Sequence, residues 1–148
     1  MASLFRSSEG RSEGSLEINS MEIANESVSY EGGCHCGAVR FRVVVDRHKA
    51  IECNCSICRK KGFLHLIVPS DRFILLQGDE ALSRYTFNTG IAKHTFCRHC
   101  GIHSFYRPRS HPQDFDVNIR CLDEDVISRF EIVPFDGVNW EDNVDQIS

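Results

Sequence analysis

The sequence has no apolar run near the roughly 20 residues that a membrane-spanning helix needs, so nothing in it reads as a bilayer segment. Its first residues, MASLFRSSEGRSEG, lack the apolar centre of a secretory signal. Glu9 and Glu13 beside Arg6 and Arg11 speak against a mitochondrial leader. An intracellular protein, cytoplasmic or nuclear, is the expectation. Basic charge is also scarce: 17 Lys and Arg stand against 21 Asp and Glu, for a formal net charge of -4. General affinity for nucleic acid needs a basic surface, so nucleic acid is not an expected partner. A repeat of fixed period is missing too, and so is any long stretch of helical periodicity.

What is present suits one packed domain and a tail. The 148 residues are 41% hydrophobic and 9% aromatic. Residues 1–27 are rich in Ser and Glu and free of Cys, and read as a disordered tail. The domain is expected over residues 28–148. In AVRFRVVV, Val39, Phe41, Val43 and Val45 alternate with Arg40 and Arg42, the pattern of a half-buried strand. LHLIV, RFILLQG, LSRYTF, HSFY, FDVNI and RFEIVPF are further short apolar, β-branched or aromatic runs, separated by turn signals such as Pro69-Ser70-Asp71 and Asp136-Gly137. A mainly β fold follows.

In a reducing compartment, eight cysteines read as metal ligands before disulfides. They form a C-x-C (Cys34, Cys36), a C-x-C-x-x-C (Cys53, Cys55, Cys58) and a C-x-x-C (Cys97, Cys100), with Cys121 apart. A C-x-x-C turn lets two thiolates converge on one ion at ~2.3 Å each. Two divisions are open. Cys34, Cys36, Cys97 and Cys100 make a saturated set and leave Cys53, Cys55 and Cys58 as a three-thiol set. Alternatively, Cys55 and Cys58 join Cys97 and Cys100, which strands Cys53. The first wastes no clustered thiol. A closed four-cysteine site stabilises a fold, whereas a three-cysteine site leaves one tetrahedral position for chemistry. Cys121 reads as a small buried residue, with a redox or exchange thiol as the minor alternative.

The motifs GGCHCGAVRF, CNCSICRKKG, YTFNTG, KHTFCRHCGIHSFYRPRS and FDGVNWE together resemble the domain shared by glutathione-dependent formaldehyde-activating enzyme and centromere protein V, over about Tyr30 to Trp140. Their wording is closer to the centromere protein V-like branch. The resemblance implies an Mss-four-like fold of coiled antiparallel β-sheets with very little helix. It implies two Zn²⁺ per chain, a structural one on Cys34, Cys36, Cys97 and Cys100 and a second on Cys53, Cys55 and Cys58. It implies a carbon–sulfur lyase that joins glutathione and formaldehyde reversibly to S-hydroxymethylglutathione, with the second zinc as the active one.

The residues suit that chemistry. Zinc deprotonates a coordinating thiol outright, or polarises a carbonyl oxygen. Arg59, Lys60 and Lys61 follow the second cluster directly and are candidates for the carboxylates of a glutathione-like thiol. Their bland alternative is a solvated basic turn. His65 and His94 are candidates for a fourth ligand or a general acid or base. His35 and His99 read as spacers between cysteines, and His48, His103 and His111 give less reason still. The principal rival to an enzyme is a non-catalytic zinc-stabilised module for a protein partner, associated with chromatin or cytoskeleton. A third reading is an enzyme of the same fold acting on another thiol or small electrophile. The second site's fourth ligand separates enzyme from module.

Overall fold

The structure, a computed structural model, describes residues 27–146. The tail expected over residues 1–27 lies outside them except for Ser27, whose hydroxyl donates to Asp46. In chain order the strands are β1 (Val28–Gly33), β2 (Arg40–Val45), β3 (Lys49–Cys53), β4 (Leu64–Val68), β5 (Phe73–Gln77), β6 (Leu82–Tyr85), β7 (His94–Cys97), β8 (Phe105–Tyr106), β9 (Phe115–Asn118) and β10 (Glu131–Phe135). A short helix, α1 (Ser56–Lys61), follows β3, and a one-turn helix, α2 (Trp140–Asn143), follows β10. The fold is mainly β.

The alternation in RFRVVV does what its pattern dictates. Phe41, Val43 and Val45 are buried and Arg42 faces solvent. β2 lies between β1 and β5, antiparallel to both, in a three-stranded sheet. A five-stranded sheet runs in the order β10-β3-β4-β9-β8, and β6 and β7 form a separate antiparallel pair. All pairings between these strands are antiparallel except β10 with β3, which are parallel in register from Glu131 opposite Lys49 to Phe135 opposite Cys53. No helix among the described residues is long and apolar enough to cross a membrane.

Aromatic rings join the two larger sheets. Phe73 stacks on Phe41 at 5.4 Å and on Phe115 at 4.2 Å, with Phe105 tilted against it at 4.7 Å. Such pairs add ~0.5–1.5 kcal/mol each beyond their buried area. The five-stranded sheet has two faces with different tasks. Leu64, Leu66 and Val68 of β4 and Val117 of β9 enter the core. The intervening His65, Ile67 and Asp116 point away from it, because successive strand residues alternate, and they line a cavity.

Candidate metal centres and the adjoining cavity

The first thiol cluster ties together distant parts of the chain. Cys34 follows β1, Cys97 ends β7, and Cys36 and Cys100 lie in the loops beyond. The four sulfur atoms lie within 4.8 Å of one another. Cys36 Sγ is 3.6 Å from Cys34 Sγ and 3.7 Å from Cys97 Sγ. Sulfurs held at ~2.3 Å by one tetrahedral ion stand ~3.8 Å apart, so the cluster fits a metal ion. A disulfide needs ~2.05 Å, and all eight cysteines are free. Val39 N–H donates to Cys34 Sγ at 3.3 Å and His99 N–H to Cys97 Sγ at 3.4 Å, the polarity a thiolate requires. Burial raises the Cys100 thiol, but hydrogen bonds to the backbone at Cys36 and Ile102 bring it down to about 6.

The second cluster is local. β3 delivers Cys53, the chain turns through Asn54 and Cys55, and α1 carries Cys58 on its inner side. Asn54 clamps this turn to the segment after β10. It donates from Nδ2 to Asp136 at 3.2 Å and accepts from Val138 N–H at 3.0 Å. Gly62 stops the helix at φ +67, where its N–H reaches Cys58 O at 3.0 Å. The three sulfurs also lie within 4.8 Å of one another. Among the described residues, no histidine, carboxylate or further thiol joins them at that spacing.

The four-and-three division is thus the one present in space. Hydrogen bonds from Cys53 and Cys58 drive the Cys55 thiol down to about 2. The hydrogen bond to Cys55 takes Cys53 up to about 11, and Cys58 is raised further by both neighbours. Three thiols this close hold one negative charge readily, and three only beside a cation.

Beside this cluster opens a cavity of about 540 Å³. Cys53, Cys55 and Cys58 form one wall, and His65, Tyr106 and Asp116 form the floor. The rim includes Phe87, Arg109 and Trp140. Arg109 lies over the Trp140 ring at 3.5 Å and pairs with Glu141 at 2.7 Å. On the floor, His65 Nδ1 is 2.7 Å from Asp116 Oδ2, and both residues are buried. Among the described residues, His65 Nε2 and Asp116 Oδ1 are buried without a partner. An unsatisfied buried polar atom costs ~1–3 kcal/mol, so this pair is expensive for the fold alone.

The structure separates the three basic residues after Cys58. Arg59 is exposed and lines the cavity. Lys60 is exposed and does not line it. Lys61 turns inward: its Nζ lies 4.2 Å from the Tyr106 ring centre, 4.5 Å from that of Phe63 and 3.2 Å from His94 Nδ1. Burial lowers the Lys61 ammonium, while Cys58, Asp116, Cys55 and Cys53 pull the other way. It is a partly buried amine that the three thiols pull electrostatically toward its charged form. His94 is buried, stacked on Tyr106 at 4.7 Å, and lowered to about 4 by burial and then by Lys61. His35 and His99 are exposed. Cys121 is partly buried and raised to about 11 by burial.

Asp116, Tyr106, Arg109 and Gly137 are site residues that cysteine spacing does not reveal. Asp116 left a trace, a carboxylate between Phe115 and Val117 in the strand-like run FDVNI.

Residues 29–134 match the family model described as glutathione-dependent formaldehyde-activating enzyme. A protein of Halomonas elongata named "Putative glutathione-dependent formaldehyde-activating enzyme" is 37% identical over 79 residues, which cover 47% of this chain and 50% of that protein. The match thus spans about half the length of that curated relative. A crystal structure of a Rhodobacter sphaeroides protein is similar with a TM-score of 0.64 and 36% identity, over 70% of this chain and 97% of the other.

Proposed function

The chain belongs to the glutathione-dependent formaldehyde-activating enzyme family, and from that premise we propose that it is a zinc enzyme of the carbon–sulfur lyase type. Its substrates are a glutathione-like thiol and formaldehyde, joined reversibly as the S-hydroxymethyl adduct. One observation carries the proposal: the three-cysteine cluster forms a wall of a 540 Å³ cavity and lacks a fourth protein ligand among the described residues. The other cluster has its full four. A closed set suits a structural zinc, and a three-ligand set beside a cavity suits a reactive one.

Cys53, Cys55 and Cys58 would hold the second zinc and Cys34, Cys36, Cys97 and Cys100 the first. When bound, the second zinc supplies stabilisation of thiolate charge and Lewis acidity toward an oxygen. The chain's own residues do the rest. Lys61 offsets the negative charge of three cysteinates from beneath. Arg59 at the wall and Arg109 at the rim present guanidinium groups to substrate carboxylates, with Lys60 outside as a weaker attractor. Phe87, Trp140 and Phe135 give the cavity apolar walls that exclude water. An intracellular site suits eight free thiols.

Calorimetry with glutathione, S-methylglutathione and cysteine tests the reading. S-methylglutathione cannot furnish a thiolate, so it should bind at least tenfold more weakly than glutathione, a loss of ~1.4 kcal/mol. Equal binding of the two would remove the metal from recognition. Failure of every thiol, with and without formaldehyde, would leave the zinc-stabilised interaction module as the function.

A further inference from the structure

We propose that His65 carries the substrate proton in this cavity, and that Asp116 is its positioning residue. The inference rests on the reading above, that a thiol adds to formaldehyde beside Cys53, Cys55 and Cys58. Adjacent strands build the pair. His65 lies opposite Asn118 in the β4–β9 ladder, and Asp116 lies two residues along β9 on the same face. Asp116 in turn sits opposite Tyr106 of β8. The strand pairing, and not a loop, sets the 2.7 Å contact between His65 Nδ1 and Asp116 Oδ2. Sites on paired strands hold their geometry better than sites on loops.

The contact decides the tautomer. Asp116 accepts from Nδ1–H, so the neutral ring keeps its lone pair on Nε2. That atom is buried like the rest of the side chain, which is 5% exposed, and it has no partner among the described residues. Both residues line the cavity that the three thiols wall. Against the ring lie Asp116 on β9, the Tyr106 hydroxyl on β8 at 3.5 Å from Nδ1 and the Phe63 ring at 4.6 Å, and beyond them Lys61 of α1 and His94 of β7 both pack on Tyr106. Tyr106 is held far above its usual range by burial and by Asp116, so it stays a neutral hydroxyl. His65 is therefore the floor group with a basic atom to spare.

The proton balance is complete. The S–H bond of the incoming thiol breaks and its proton goes to Nε2. The sulfur electron pair forms the S–C bond to formaldehyde, and the C=O π pair moves to oxygen. Nε2–H then returns the proton to that oxygen and leaves the hydroxymethyl adduct and neutral His65. No external oxidant, reductant or base is needed. The reverse reaction uses the same atoms in the opposite order.

The test measures protons as well as turnover. Glutathione is titrated into the zinc-loaded protein at pH 7.5 in buffers of different ionisation enthalpy. The wild-type protein should release well under one proton per glutathione, because His65 retains it, and His65→Gln should release close to one. Nitrogen NMR of the wild-type His65 ring should show Nδ1–H with bare Nε2 before addition and both nitrogens protonated after it, a readout that needs no variant. His65→Gln should lower kcat by about 10²–10⁴ with KM for glutathione nearly unchanged. Asp116→Asn should shift the ring toward the Nε2–H tautomer, and Asp116→Glu should restore part of the rate. Equal proton release by wild type and His65→Gln, or a ring that stays neutral on binding, would overturn the role of His65 and leave the thiol reaction standing. Wild-type protein that binds no glutathione would overturn the parent reading, and the inference with it.

Discussion

Gly137 lies directly against Cys53: a Cβ built on Gly137 would fall 2.3 Å from the Cys53 sulfur and 3.0 Å from Cys55 Cβ. The segment after β10 thus closes over the second cluster as bare backbone, held there by Asn54. Gly137→Ala should push Cys53 out of its place. Overpacking of this kind costs ~1–3 kcal/mol. The expected result is loss of about one of two metal ions per chain, since only the three-ligand set is disturbed. Metal analysis after dialysis reads this directly. Full retention of metal would show that the second cluster tolerates the displacement, or that it holds no ion.

The two clusters should differ in their grip on the fold. Cys36 and Cys97 are 61 residues apart and join separate sheets, whereas Cys53, Cys55 and Cys58 belong to one turn. Structural zinc binding is coupled to folding at ~10–16 kcal/mol apparent. Cys97→Ala should therefore unfold or aggregate the domain, while Cys55→Ala should melt cooperatively at a modestly lower temperature. Thermal unfolding of both variants is the measurement. Collapse of both to the same degree would make the second cluster structural as well and take away the main support for an enzyme.

Much of this was legible from the chain, for identifiable reasons. β2 and β4 announce themselves because they bury large apolar side chains at alternate positions: Phe41, Val43 and Val45 in one, Leu64, Leu66 and Val68 in the other. β3, KAIEC, does not: its one fully buried side chain is Ala50, and its parallel partner β10 lies some eighty residues on. β7, HTFC, is hidden because its buried ends are His94 and Cys97, residues usually weighed for chemistry and not for packing. The cysteine clusters were legible because thiol spacing is local geometry. The basic trio is less legible for the opposite reason. Neighbours in sequence look like one patch, but a helix turns about 100° per residue, so Arg59, Lys60 and Lys61 face three directions. Asp116 needed the pairing of β9 with β4 before its partner could be seen.

That separation predicts three different phenotypes. An exposed charge pair contributes ~0.2–1 kcal/mol, so Arg59→Ser should weaken glutathione binding by a few-fold and reduce its salt dependence. Lys60→Ser should change it little. Lys61→Met keeps most of the side-chain volume but removes the cation beside the thiols. It should loosen the second metal by about 10–100-fold, the usual effect of losing a supporting residue behind a metal site. Competition with a chelator separates metal loss from weaker thiol binding. Identical effects of all three substitutions would mean that they act as one diffuse patch.

Acid should destabilise the domain earlier than its carboxylates explain. His94 is lowered to about 4 by burial and Lys61, and His103 to about 4 by the same two causes. An unfolded histidine titrates near ~6.5. Between these values the unfolded chain binds protons that the folded protein refuses, so stability rises with pH. The contribution is complete above pH ~6.5 and declines as the pH falls toward 4. Each such histidine steepens the profile by up to ~1.4 kcal/mol per pH unit. His94→Phe preserves the stacking on Tyr106 and removes the titration. Denaturant unfolding from pH 4 to 8 should therefore give a shallower acid limb for His94→Phe than for wild type, with little change in slope above pH 7. Acid release of metal acts on both proteins alike, so the difference between the two curves isolates His94. Superimposable limbs would mean that His94 takes up its proton in the folded state as readily as in the unfolded one.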